Sequence, residues 1–154
     1  LEADFRAPSC DYATYMKLIR MLTRDNDADK EQMYRVMCFN VLTHNRDDHT
    51  KNFSFLYTND RGWRLAPTYD LTYSVTYWGE QTTSVCGKGK DISEKDLIEV
   101  GIGAGLSRSL CTKILDEIQD KKEVLGRYLG TPNYPPNAKT PPAERIAEIN
   151  VLQN

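Results

Sequence analysis

The chain has 154 residues, 40% of them hydrophobic and 27% charged, a balance that fits one folded domain and excludes disordered, collagen-like and fibrous classes. Its 20 Lys and Arg against 22 Asp and Glu give a net charge of -2, which supplies no general electrostatic footprint for direct nucleic-acid binding. Leu1 to Cys10 lacks a basic-then-apolar leader pattern and no apolar run reaches membrane-spanning length, so a soluble, cytoplasmic protein is expected.

The four cysteines, Cys10, Cys38, Cys86 and Cys111, form no CxxC pair. That spacing argues against a zinc ribbon or a dithiol redox motif and for free, mostly buried thiols in a reducing compartment. The start at Leu1 instead of Met points to a piece of a longer protein.

In chain order, Asp11 is placed to cap a helix in which Tyr12, Tyr15, Met16, Ile19 and Leu22 recur at three- and four-residue spacing. This helix should end near Asp25. After the polar connector, Asp29 is a cap for a second helix with Met33, Val36, Met37, Val41 and His44 along one stripe, which makes His44 a hydrogen-bonded interior imidazole. Phe53, Phe55 and Tyr57 then alternate with Ser54, Leu56 and Thr58, the period of a half-buried strand. Asn59-Asp60-Arg61-Gly62 reads as a turn into a returning strand through Trp63 and Leu65 that ends at Pro67. The aromatic set Phe53, Phe55, Tyr57 and Trp63 is expected to form the hairpin core.

Residues 71–92 give a weaker pattern, with a short strand over Thr82 to Val85 and a flexible Gly87-Lys88-Gly89-Lys90 loop. Ser93 can cap a helix to about Val100, and Ser107 a longer one that buries Leu110, Ile114, Ile118 and Leu125, with Gly101 to Gly105 as the joint. The glycines of that joint do not form a dinucleotide loop, because they follow a helix and lack the third glycine at the required place. Thr131 to Pro142 holds five prolines and reads as an extended connector before a terminal helix through Ile146, Ile149 and Leu152.

The chemistry is concentrated in Asn45-Arg46-Asp47-Asp48-His49-Thr50-Lys51-Asn52, where a carboxylate is followed five residues later by an amide. Phosphoryl transfer uses such a pair on one tight loop: the aspartate takes or orients the proton of the attacking hydroxyl, and the asparagine gives a neutral oxygen to magnesium. A second carboxylate is needed for a metal bridging the phosphates, and Asp70 stands directly after the hairpin. Helix, Asp-x4-Asn loop, hairpin, then aspartate is the element order of the large lobe of protein kinases.

Phe39-Asn40-Val41-Leu42, the 45–52 loop with Phe53-Ser54-Phe55-Leu56, and Trp63-Arg64-Leu65-Ala66-Pro67-Thr68-Tyr69-Asp70-Leu71 closely resemble HipA-like kinases, with weaker similarity through Asp96-Leu97 and Gly105-Leu106-Ser107-Arg108. The resemblance implies that residues 1–154 form a mainly α (α+β) kinase-like carboxyl-terminal lobe, helical with a small β-hairpin after the catalytic loop. Carried over by position, it makes Asp47 the catalytic base, Asn52 and Asp70 the magnesium ligands, and His49 and Lys51 loop residues near the phosphates of ATP. It further implies a Ser/Thr protein kinase toxin paired with a HipB-like antitoxin, which would contact DNA in its stead, and an aminoacyl-tRNA synthetase as the kind of protein substrate. The chain has no GxGxxG cover, P-loop or strand-borne Val-Ala-Ile-Lys lysine. Relatives carry a phosphate-contacting lysine upstream, so the chain by itself is expected to be inactive.

Two other readings come from the residues. His44, Asp47, Asp48 and His49 could serve a metal-dependent hydrolase. Asp96 to Ile114 could be a DNA-binding helix-turn-helix, though Asp116, Glu117 and Asp120 give its second helix an unpromising surface for phosphates.

Overall fold

A computed structural model describes residues 10–74 and 79–129. The short strand β1 (Cys10–Asp11) runs straight into helix α1 (Tyr12–Leu22). Asp11 caps that helix as its sequence position predicts, one carboxylate oxygen accepting from the Ala13 N–H at 2.8 Å. Its other oxygen accepts from the Ser84 hydroxyl and the Gly87 N–H, each at 2.8 Å, so one side chain both starts α1 and holds the segment that pairs with β1. Helix α1 stops at Leu22, earlier than expected, because Thr23 turns its hydroxyl back onto the Ile19 carbonyl at 2.8 Å.

The second helix, α2 (Asp27–Leu42), is capped by Asn26 and not by Asp29. The Asn26 Oδ1 accepts from the Asp29 N–H at 3.2 Å, whereas the Asp29 carboxylate is taken by Arg64 Nε of the hairpin at 2.7 Å. Helix α2 ends two residues before His44, which lies beyond the Thr43 cap with a left-handed φ of 55° and is only half-buried. The expected interior imidazole on an apolar stripe is therefore corrected: the histidine turns the chain out of the helix. Helix α2 is the centre of the molecule, with Met33, Tyr34, Met37, Cys38 and Val41 buried against α1 and the two later helices.

After a single 3-10 turn (Thr50–Asn52), strands β2 (Phe55–Thr58) and β3 (Gly62–Leu65) pair antiparallel, with Phe55 opposite Leu65 and Tyr57 opposite Trp63. Gly62 takes the φ of +70° that closes the turn. The alternation predicted the strands but overstated their burial. Phe53, Phe55 and Leu65 pack on the core, while Tyr57 and Trp63 stay exposed and meet edge-on at 5.3 Å between ring centres. Residues two apart along a strand point the same way, so Tyr57 and Trp63 share the face of Phe55 and Leu65; they stay exposed at the end of the hairpin nearer its turn.

Strand β4 (Thr83–Ser84) lies parallel to β1, within the short strand expected at Thr82 to Val85. The following Gly-Lys-Gly-Lys stretch is a tight turn closed by reciprocal Val85–Lys88 backbone bonds of 2.9 Å. Helix α3 (Glu94–Gly103) begins with a full capping box between Ser93 and Asp96. The Ser107 hydroxyl accepts from the Leu110 N–H at 3.2 Å at the start of α4 (Arg108–Leu129). The expected joint is corrected, since Gly101 lies inside α3 and only Gly105, at φ +90°, makes the turn.

The described residues thus form four helices and two two-stranded sheets. All four cysteines are free, Cys38 and Cys111 buried and Cys86 exposed. No helix among the described residues is long and apolar enough to cross a membrane. The proline-rich connector at 131–142, the terminal helix through Ile146 and the Leu125 side chain lie outside the described residues.

Candidate active site

Three stretches of chain meet at the carboxyl end of α2: residues 44–52, 70–74 and 81–84. Two adjacent aspartates of the first stretch have opposite surroundings. Asp47 is exposed, its carboxylate in solvent, whereas Asp48 is buried.

Asp48 is held on every side. Its Oδ2 accepts from the Tyr12 hydroxyl at 2.8 Å and its Oδ1 from the Thr83 N–H at 2.9 Å. The Thr83 hydroxyl donates to its carbonyl, and Thr82 donates to the Arg46 carbonyl through its N–H at 3.0 Å and its hydroxyl at 2.8 Å. Burial pushes the Asp48 carboxyl up to about 7 against these bonds, because loss of water penalises the charged form. The Tyr12 phenol is raised well above its usual range by its own burial and by the charge of Asp48.

The loop itself is closed by Asn52, whose Nδ2 donates to the Asp47 carbonyl at 2.8 Å. This bond uses the donor end of the amide and leaves the oxygen as the end suited to a hard cation. The Asn52 N–H donates to the His49 carbonyl at 2.9 Å within the 3-10 turn. His49 Nε2 stands 3.8 Å from Asp47 Oδ1, beyond hydrogen-bonding range. Lys51 is exposed, and its carbonyl accepts from the Tyr69 hydroxyl at 2.7 Å. That bond brings residue 69 alongside the loop, and Asn52, Phe53, Ser54, Thr68 and Tyr69 share the wall of one small cleft.

Asp70 is exposed and has a left-handed φ of 56°. Its carbonyl accepts from Asn45 Nδ2 at 3.2 Å, and the second hydrogen of that amide goes to Asn40 Oδ1 at 3.0 Å. The Asn45 oxygen accepts from the Ser74 hydroxyl at 3.4 Å, whose oxygen accepts the Asp47 N–H at 2.8 Å. Asp47, His49, Lys51 and Asn52 therefore share one loop, and the Asp70 turn is tied to it through Asn45, Ser74 and Tyr69. Asn52 and Asp70 carry hard oxygens of the kind magnesium takes, and Asp47 a solvent-facing carboxylate of the kind that can accept a proton from a hydroxyl.

The His44, Asp47, Asp48, His49 set does not gather. Among the described residues no group of three or more His, Cys, Asp or Glu could hold a metal ion. Asp48 faces Tyr12 and Thr83, and His44 Nδ1 lies 3.0 Å from an Arg46 guanidinium nitrogen. Sequence reasoning assigned no site role of their own to Asn45, Ser74, Tyr12, Asn40 or Thr83. Asn45 carried a signal, standing two residues before Asp47 at the head of the loop; Tyr12 and Thr83 carried none, because their roles depend on contacts across 36 and 35 residues.

A family model described as the HipA-like C-terminal domain matches residues 1–124. The chain belongs to that family. Among solved structures, this chain is similar to a chain of the Shewanella oneidensis MR-1 toxin–antitoxin complex of HipA, HipB and operator DNA, with a TM-score of 0.69 and 24% identity. The match covers 93% of this chain and 34% of the other and shows a shared fold. Among curated proteins, the Sinorhizobium fredii protein named "Putative kinase Y4mE" is 31% identical over 109 residues, 65% of this chain and 26% of that protein. A Haemophilus influenzae protein named "Putative kinase" is 26% identical over 132 residues, 73% of this chain and 38% of that one. The HipA-like chain thus spans 26% to 38% of the length of these curated relatives.

Proposed function

We propose that this HipA-like chain is the catalytic-loop lobe of a Ser/Thr protein kinase toxin that transfers the γ-phosphoryl group of ATP with magnesium. The observation that carries the reading is the 2.8 Å bond from Asn52 Nδ2 to the Asp47 carbonyl. It closes the Asp-x4-Asn segment so that one loop carries both the carboxylate and the amide oxygen, an arrangement suited to in-line transfer by positioning.

In this reading Asp47 takes the proton of the attacking hydroxyl, for which its solvent-facing carboxylate is suited. Asn52 and Asp70 would hold magnesium, and His49 and Lys51 would face the phosphates. Magnesium would supply charge neutralisation across the bridged phosphates. The rest of the nucleotide grip would come from an amino-terminal lobe, so the chain by itself transfers no phosphate. By analogy with the Shewanella complex, a HipB-like antitoxin is the proposed partner and the link to DNA. An aminoacyl-tRNA synthetase is the proposed class of protein substrate.

The test is phosphate incorporation by a protein in which the chain is joined to the amino-terminal lobe of a full-length relative. Asp47→Ala is expected to lower the rate by about a hundred-fold or more. An equal rate in both proteins overturns the assignment of the base.

A further inference from the structure

The two stretches that carry Asp47 and Asp70 have no direct backbone pairing through those residues, yet two small polar side chains lie between them. Asn45 is almost wholly buried, and its amide makes three bonds. One hydrogen goes to Asn40 Oδ1 on α2 at 3.0 Å, the other to the Asp70 carbonyl at 3.2 Å. The oxygen accepts from the Ser74 hydroxyl at 3.4 Å. The Ser74 hydroxyl oxygen in turn accepts the Asp47 N–H at 2.8 Å, and the Ser74 N–H donates to the His44 carbonyl at 3.2 Å. Both backbone groups beside the reactive carboxylates are therefore fixed by one side-chain pair, and that pair is referenced to α2 through Asn40. Asn40 is itself pinned, its Nδ2 donating to the Tyr12 hydroxyl at 2.9 Å.

We propose that Asn45 and Ser74 are a positioning pair that sets the separation of Asp47 from Asp70, and with it the geometry in which the magnesium ion and the attacking hydroxyl meet. The proposal rests on the kinase reading above. Neither side chain reaches the reacting atoms; both act through backbone groups of residues that do. Asp70 has a left-handed φ of 56°, a conformation that a non-glycine residue adopts at a modest cost, which a bond to its own carbonyl helps to offset. An asparagine suits position 45 because only a primary amide offers two donors and an acceptor in one plane. Aspartate there would set oxygen against the carbonyls of Asn40 and Asp70, and leucine would leave all three partners unsatisfied.

The test uses the two-lobe protein and has two readouts: the affinity for Mn2+ in the presence of ADP, by electron paramagnetic resonance, and the rate of phosphate incorporation. Ser74→Ala removes the acceptor for the Asp47 N–H at a half-buried site, which the fold should survive. It is expected to weaken Mn2+ binding and lower the rate by about ten-fold each, with a melting temperature close to that of the parent. Ser74→Thr, which keeps the hydroxyl, should restore both. Asn45→Asp should weaken the metal further. Parental Mn2+ affinity in Ser74→Ala, with Asp70→Asn clearly weakened, overturns the positioning pair. So does a loss that merely follows a fall in melting temperature. Parental Mn2+ affinity in Asp70→Asn overturns instead the kinase reading beneath it.

Discussion

The Tyr12 hydroxyl donates to Oδ2 of Asp48 at 2.8 Å across 36 residues of chain, and this buried bond ties the first helix to the loop over residues 45–52. Tyr12 stands between that carboxylate and Asn40 Nδ2, 2.9 Å on its other side. One phenol thus satisfies an acceptor and a donor that water cannot reach. Tyr12→Phe keeps the ring, which meets Phe53 edge-on, and removes only the oxygen. The expected cost is about 1–3 kcal/mol, that of leaving buried polar groups unpaired, read from chemical denaturation. A change of a few tenths would mean that the surroundings rearrange to supply new partners.

Asp48 gives a prediction with a definite sign. Its carboxyl is raised from 3.8 to about 7 in the folded protein, so between those values the folded state keeps a proton that the unfolded chain releases. Stability from this group is then complete below about pH 4 and is lost as pH rises toward 7, by about 1.4 kcal/mol per pH unit. Asp48→Asn cannot ionise, and its melting temperature should decline less than the parent's from pH 4 to pH 7. Parallel pH profiles for the two proteins would mean that Asp48 stays charged in the fold.

Gly101 marks the closest approach of α3 to its neighbours. A Cβ there would lie 2.5 Å from Cys111 Sγ and 2.7 Å from the Tyr34 ring, with no room for a methyl group. Alanine would favour the helix by about 1 kcal/mol, but displacing a fully buried tyrosine and a buried thiol opposes it. We expect Gly101→Ala to destabilise the fold by about 1–3 kcal/mol net, measured by thermal unfolding. The double variant with Cys111→Ala should recover part of that loss, and a stabilised single variant would refute the contact.

Arg64 joins the hairpin to the start of α2, its guanidinium 2.7 Å from the buried Asp29 carboxylate and 3.0 Å from the Asn26 cap oxygen. Arg61, on the hairpin turn, stands 3.4 Å from Asp60 with both side chains largely in solvent. Arg64→Ala should lower the melting temperature by several degrees because it strands a carboxylate inside the protein. Arg61→Ala should leave it unchanged within error. Equal effects would place the two pairs in the same class.

The sequence by itself determined what depends on neighbours along the chain: the Asp11 and Ser93 caps, the hairpin that ends before Pro67, and the Asp47-x4-Asn52 loop closed across five residues. Local hydrogen bonds and period-2 or period-3.6 patterns leave their mark in the order of residues. Only the tertiary structure decided which of two identical adjacent residues faces water. Asp47 is solvent-facing and Asp48 buried, where Tyr12 and Thr83, distant in sequence, offer donors to the Asp48 carboxylate, and two identical neighbours give no local signal of which one turns inward. The same reason moved the α2 cap from Asp29 to Asn26, since Arg64 claims that carboxylate from 35 residues away. It also left Asn45 and Ser74 without an assigned role, for a bridge between two loops exists only after the chain has folded around it.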